Sequence, residues 1–207
     1  MTRRAICAAC LRPQPTCICR WVVATPNLAE VLILQHPMEV DHAKGSARLL
    51  HMSLARSRLA VGEAFAADAM QAMLADRRAV LLYPETAGEQ ELGMPAPPPF
   101  DPAWLAEPAQ LRLVVLDGTW RKSRKMLYLN PLLQQLPRLP LRDTPPSHYL
   151  IRKAHLPDQL STLEATTYAL AQLEGDAQKF APLIEAFDGF VSQQMAQQVG
   201  RTGDTEN

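Results

Sequence analysis

Four cysteines crowd into the stretch CAACLRPQPTCIC as Cys7, Cys10, Cys17 and Cys19, and the chain has no others. A C-x2-C knuckle followed by a C-x-C pair can close four thiolates into a tetrahedron around one zinc ion. The spacing is not that of the common ferredoxin motifs, which favours zinc over an iron-sulfur cluster. Unbonded or redox-active thiols are the plain alternative. A closed four-cysteine site has no coordination position left for substrate. Its zinc would therefore be structural, stabilising the N-terminus or presenting Arg3, Arg4, Arg12 and Arg20 to a polyanion.

A second stretch, LRLVVLDGTWRKSRKML at 111–127, stops an aliphatic run at an acid, turns, and restarts with a tryptophan among four basic residues. If 111–116 is a strand and a helix begins after Gly118, Asp117 lies at the carboxyl end of that strand, facing a ligand crevice, with Thr119 near the helix N-terminus. At 100° per residue, Arg121, Lys122, Arg124 and Lys125 share one arc, opposite Trp120, Ser123, Met126 and Leu127. Two readings stand. In one, Asp117 caps the helix, Trp120 is core and the basic arc is merely solvated. In the other, the same element touches a small ligand and a polyanion.

These residues need elements to hold them. EVLIL (30–34), RAVLLY (78–83) and LRLVVL (111–116) are short aliphatic runs ending in a turn or an acid, like interior strands of a parallel sheet. Helical patterns fall between and after them, at 42–55, 65–76, 161–174 and 179–197. Alternation of this kind predicts an α/β fold, a mostly parallel sheet flanked by helices. The proline-rich segment 94–108 reads as a restrained surface connector. The expected division is a cysteine knuckle over 1–25, a catalytic domain over 26–198 and a disordered tail over 199–207. Ser161 and Glu164 form an S-x-x-E capping box at the start of an apolar-periodic helix. In QHPMEV (35–40), Pro37 restricts His36 to an extended conformation.

With 21 Lys+Arg against 21 Asp+Glu in 207 residues, any polyanion must be met by a local patch. No apolar run reaches signal-peptide or membrane-span length, so a cytoplasmic protein is expected, with no membrane association and no obligate protein partner indicated. The chain contains no G-x-G, which excludes the glycine-rich turn of common nucleotide-binding folds.

The C-x2-C and C-x-C start, the D-x-T-W element, QHPMEV, LLYPETA (81–87) and SHYLIRKA followed by STLEA (147–165) occur in an order that resembles the DTW-domain family. The resemblance covers Cys7 to about Tyr168. It implies a fold similar to the knotted, SPOUT-like class that uses S-adenosylmethionine (SAM), here as co-substrate. It also implies transfer of the 3-amino-3-carboxypropyl group to N3 of a tRNA uridine, releasing methylthioadenosine, with tRNA as the partner. Asp117 becomes the candidate general base or the carboxylate that orients the substrates. Thr119, Trp120, Ser161, Thr162, Glu164, Tyr83 and Pro84 become candidates for holding SAM, with Glu164 toward its ammonium group. His36 and Glu39 are candidate site-lining residues. Arg121, Lys122, Arg124, Lys125, Arg152 and Lys153 are candidates for gripping RNA phosphates. A knotted RNA methyltransferase and a non-catalytic zinc-knuckle RNA-binding protein are the competing functions.

Overall fold

The structure, a computed structural model, describes residues 5–84, 95–142, 144–147 and 160–203, with side chains through 197. Its centre is a wholly parallel sheet of four strands, β1 (Glu30–Gln35), β2 (Ser57–Val61), β3 (Arg78–Leu82) and β4 (Leu111–Asp117), in the order β2-β1-β4-β3. Three strands match the aliphatic runs. The fourth, β2, was not expected, because SRLAV is short and holds a charged residue. As an edge strand it is only partly buried, so its sequence carries no continuous apolar signal.

Helices cover both faces. On one side lie α1 (Ala47–Ser53), α5 (Thr162–Glu174) and α6 (Ala177–Gly203); on the other lie α2 (Ala67–Leu74), α3 (Trp120–Leu129) and the short α4 (Pro131–Gln134). Strand alternation sorts the core accordingly. Val31, Ile33, Leu113 and Val115 pack toward α5 and α6, while Leu32, Leu34, Val114 and Leu116 pack toward α3 and α4. Burial on both faces is why β1 and β4 read as unbroken apolar runs.

Several helix bounds shift. The segment 42–46 turns before α1 starts, and α6 continues to Gly203, past the point where a disordered tail was expected. Backbone i→i−4 bonding does not require an apolar pattern, so the helix runs on. The proline-rich connector also does more than cross the surface. Phe100 and Trp104 meet edge to face at 5.8 Å and pack against the core.

The two ends of the sheet differ in chemistry. At the amino end, register partners Glu30 and Arg112 pair at 3.0 Å, and Arg58 and Arg77 close on the same carboxylate at 2.7 and 3.1 Å. At the carboxyl end, register sets Gln35 beside Asp117. The amino end is an ion cluster; the carboxyl end holds the candidate site.

The cysteine segment packs into the main body. Cys10 and Ile18 are buried in the same core cluster as α5 and α6. Trp21 lies over Gly189 of α6, so closely that a Cβ there would fall 2.1 Å from the indole. Around this notch Gln193 accepts from Trp21 Nε1 at 2.5 Å and donates to the Cys17 carbonyl at 3.0 Å. Among the described residues, no helix is long and apolar enough to cross a membrane.

Candidate active site and metal centre

Asp117 ends β4 with its side chain on the α5 side of the sheet, following the alternation of Leu113 and Val115. It is 5% exposed. Gln35 Nε2 donates to one carboxylate oxygen at 2.8 Å, and Thr162 Oγ1 donates to the other at 2.6 Å. Its backbone carbonyl accepts from His36 N at 2.9 Å. One buried carboxylate thereby ties the ends of β1 and β4 to the first turn of α5. It does not cap α3, because Thr119 does so, accepting from the Lys122 amide at 3.4 Å.

Ser161 and Glu164 form the expected capping box. Ser161 Oγ accepts from the Glu164 amide at 3.2 Å, and Glu164 returns a carboxylate oxygen to the Ser161 amide at 2.7 Å. Glu164 is fully buried, and Ser147 Oγ lies 3.0 Å from both of its oxygens. Its carboxylate is therefore bound inside the protein, and its contribution to a pocket comes through the cap.

Between these elements lies a cavity of about 650 Å3. Leu82, Tyr83 and Pro84 bound it at the end of β3, and Val115, Leu116 and Gly118 at the end of β4. Trp120 and Ser123 of α3 form another wall, residues 139–141 a third, and Ser161, Thr162 and Ala165 a fourth. The described walls are apolar, interrupted by hydroxyls and one aromatic stack. Trp120 lies against Tyr83 with ring centroids 5.1 Å apart and planes 10° apart. Trp120 is 45% exposed, which overturns the core reading: it is a wall whose second face meets solvent. The size suits a ligand of nucleoside dimensions.

Arg138, which sequence reasoning missed, supports this wall from behind. It is buried, its guanidinium lies 5.1 Å from the Tyr83 ring centre, and Nη1 donates to the Pro84 carbonyl at 3.1 Å. Residues 137–139 bond to Leu81, covering the β3 edge, which is what brings Arg138 there. Gln35 was missed too, although it opens the quoted QHPMEV. Only the β1-β4 register reveals that it faces Asp117.

His36 and Glu39 sit off the cavity wall, beside α3. The Met38 amide donates to His36 Nδ1 at 3.1 Å. In the neutral ring this puts the proton on Nε2, which faces Glu63 at 3.0 Å. Glu39 pairs with Lys122 at 2.7 Å, and Glu63 with Lys125 at 2.9 Å. Hydrogen bonds from Lys125 and His36 hold the Glu63 carboxyl below the usual carboxylate range. Two of the four cations of the basic arc are thus neutralised, while Arg121 and Arg124 are exposed with no acidic partner among the described residues. Arg152 and Lys153 lie outside the described residues, as do Arg3 and Arg4.

A model of the DTW domain matches residues 4–195. The chain belongs to the DTW-domain family. Its relatives include tRNA-uridine aminocarboxypropyltransferase 2 of Macaca fascicularis, 28% identical over 181 residues, covering 83% of this chain and 57% of that protein. The protein of the same name from Drosophila melanogaster is 30% identical over 183 residues, covering 83% and 68%. tRNA-uridine aminocarboxypropyltransferase A of Arabidopsis thaliana is 29% identical over 150 residues, covering 60% and 51%. The chain thus spans only 57% of the length of the first of these relatives. No solved structure matches it.

In this DTW domain the four cysteine sulfurs lie within 4.8 Å of one another. Cys7 and Cys19 approach to 3.6 Å, and Cys10 and Cys17 to 3.7 Å. A tetrahedron with metal-sulfur bonds of about 2.3 Å has edges of about 3.8 Å, so the cluster is compatible with a four-thiolate zinc site. The backbone amides of Cys10 and Ala9 point at Cys7 and bring its thiol down to about 6, whereas burial pushes Cys19 up to about 12. The nearby arginine Arg12 is not offered to a polyanion. It donates to the carbonyls of Ala43 and Gly45 at 2.6 and 2.7 Å, anchoring the knuckle to the turn before α1.

Proposed function

We propose that this DTW domain transfers the 3-amino-3-carboxypropyl group of SAM to N3 of a tRNA uridine. In this reaction the N3–carbon bond forms as the carbon–sulfur bond breaks. The electron pair leaves with sulfur, giving neutral methylthioadenosine, and the N3 proton passes to a base or to water. The sulfonium is already a good leaving group, so most of the task is alignment of nucleophile, carbon and sulfur.

The observation that carries this reading is the cavity between the DGTW turn and the start of α5, in a chain whose relatives bear the aminocarboxypropyltransferase name. Its apolar walls suit an adenosine and a thioether. The hydroxyls of Ser161 and Thr162 suit the polar arm, and Pro84 bounds the pocket mouth. Asp117 acts as a positioning carboxylate: each of its oxygens accepts a hydrogen bond, one buried and one partly buried, and a carboxylate there favours a cationic ligand nearby. The wholly parallel sheet with its cavity at the carboxyl ends fits the knotted, SAM-using class. The four-cysteine cluster holds structural zinc, since all four positions of a tetrahedron are filled by thiols.

Incubation of the full chain with SAM and tRNA lacking the modified uridine tests the reading. Methylthioadenosine and an aminocarboxypropyl-uridine nucleoside are expected by mass spectrometry. S-adenosylhomocysteine with a methylated nucleoside would assign the methyltransferase reaction instead. Neither product, with tRNA binding retained, would leave a non-catalytic RNA-binding protein.

A further inference from the structure

We propose that the outward face of α3 is an RNA-docking strip in which Tyr128 and the free face of Trp120 stack bases while Arg121 and Arg124 hold phosphates. The inference deepens the functional reading above and rests on it for the identity of the RNA as tRNA.

Four residues apart, Trp120, Arg124 and Tyr128 fall on one side of the helix, with Arg121 beside them. Ser123, Met126 and Leu127 form the buried side, and Trp120 stands at the boundary, next to Leu127 on the wheel. Tyr128 is 57% exposed, and it follows that burial in the core does not explain an aromatic there. Trp120 has one face on Tyr83 and remains 45% exposed. The basic arc is uneven: Lys122 and Lys125 are held by Glu39 and Glu63. The helix therefore presents two unneutralised guanidinium groups interleaved with two exposed rings. In a chain of zero net charge, this local pattern matches a polyanion whose bases also present π-faces. A single-stranded loop fits better than a duplex, because only unpaired bases can stack on side chains.

The strip also leads to the cavity. Trp120 belongs to both, and Tyr128 lies eight residues further along the helix, about 12 Å away. A loop lying on α3 would deliver one of its nucleotides to the cavity mouth.

Fluorescence-anisotropy titration of unfractionated tRNA against the full chain, over a range of salt, tests the strip. Tyr128→Ala should weaken binding roughly ten- to a hundredfold, and Tyr128→Phe should retain it. Arg121→Gln with Arg124→Gln should lower the slope of log affinity against log salt by about 1.4, the loss of two single-strand phosphate contacts. Unchanged affinity and slope in both variants, with melting temperatures like wild type, would overturn the proposal and reassign the strip to a protein contact. Binding that depends on these residues in a protein that forms no modified uridine upholds the strip and removes the functional reading. Normal product formation with tRNA affinity indifferent to all three residues does the reverse.

Discussion

Asp117 sits where a general base would sit, at the carboxyl end of a central strand, yet its surroundings suit a fastener. Each carboxylate oxygen accepts one hydrogen bond, from Gln35 on one and from Thr162 on the other, and together they fix the group's orientation at the junction of β1, β4 and α5. Asp117→Asn keeps the size and one acceptor but presents an amide to one of these donors. The expected result is a folded protein whose kcat/KM falls about a hundredfold, the cost of a small misplacement of reacting groups. The shape of its pH–rate profile should be unchanged. Stopped-assay kinetics across pH check this, and disappearance of an ionisation limb in the variant would restore the base role. Trp120 makes the same point about residue-level reading. Its helical position sorts it with the packed side, but being first in the helix it projects past the core, so it becomes a wall.

At the scale of elements, the knuckle and α6 act as one unit. Trp21 is seated in the notch at Gly189, and Gln193 bridges the indole to the Cys17 carbonyl. Gly189→Ala should destabilise the protein by about 1–3 kcal/mol through overpacking, read from urea midpoints. In a Trp21→Ala background the same substitution should cost almost nothing, because the ring it strikes is gone. Equal costs in both backgrounds would refute the notch account. The turn between α5 and α6 has its own requirement: Gly175 ends α5 at φ 67°, a conformation that costs glycine little. The capping box of α5 was readable in the sequence, since S-x-x-E is local chemistry. The edge strand β2 was not, because its partial burial is decided by β1 beside it.

For the molecule as a whole, the sheet has an ion cluster at one pole and the candidate site at the other. Burial alone would raise the Glu30 carboxyl, but Arg112 and Arg58 more than offset it and hold it below the usual range. A depressed carboxylate contributes stability that is present above its unfolded pKa of about 4.3 and is lost as pH falls through the lower folded value. Glu30→Gln should therefore cost about 3 kcal/mol at neutral pH, leaving the buried Arg112 uncompensated. The gap from wild type should close progressively below about pH 4. Thermal melts from pH 3 to 7 measure it, and a gap independent of pH would remove the ion cluster from the explanation.

What the sequence determined alone was whatever depends on neighbours along the chain. The cysteine spacing, the alternation of aliphatic runs and helical periods, the capping box and the DGTW turn all follow from local geometry, and family membership follows from their order. Tertiary structure decided which of those residues meet. Strand register placed Gln35 against Asp117, crossovers brought Thr162 to the same carboxylate, and the covered β3 edge put Arg138 behind Tyr83. Packing of the turn after β1 against α3 neutralised Lys122 and left Arg121 and Arg124 to solvent. Contacts between residues 45 to 83 positions apart depend on how the elements stack, and no local pattern encodes them.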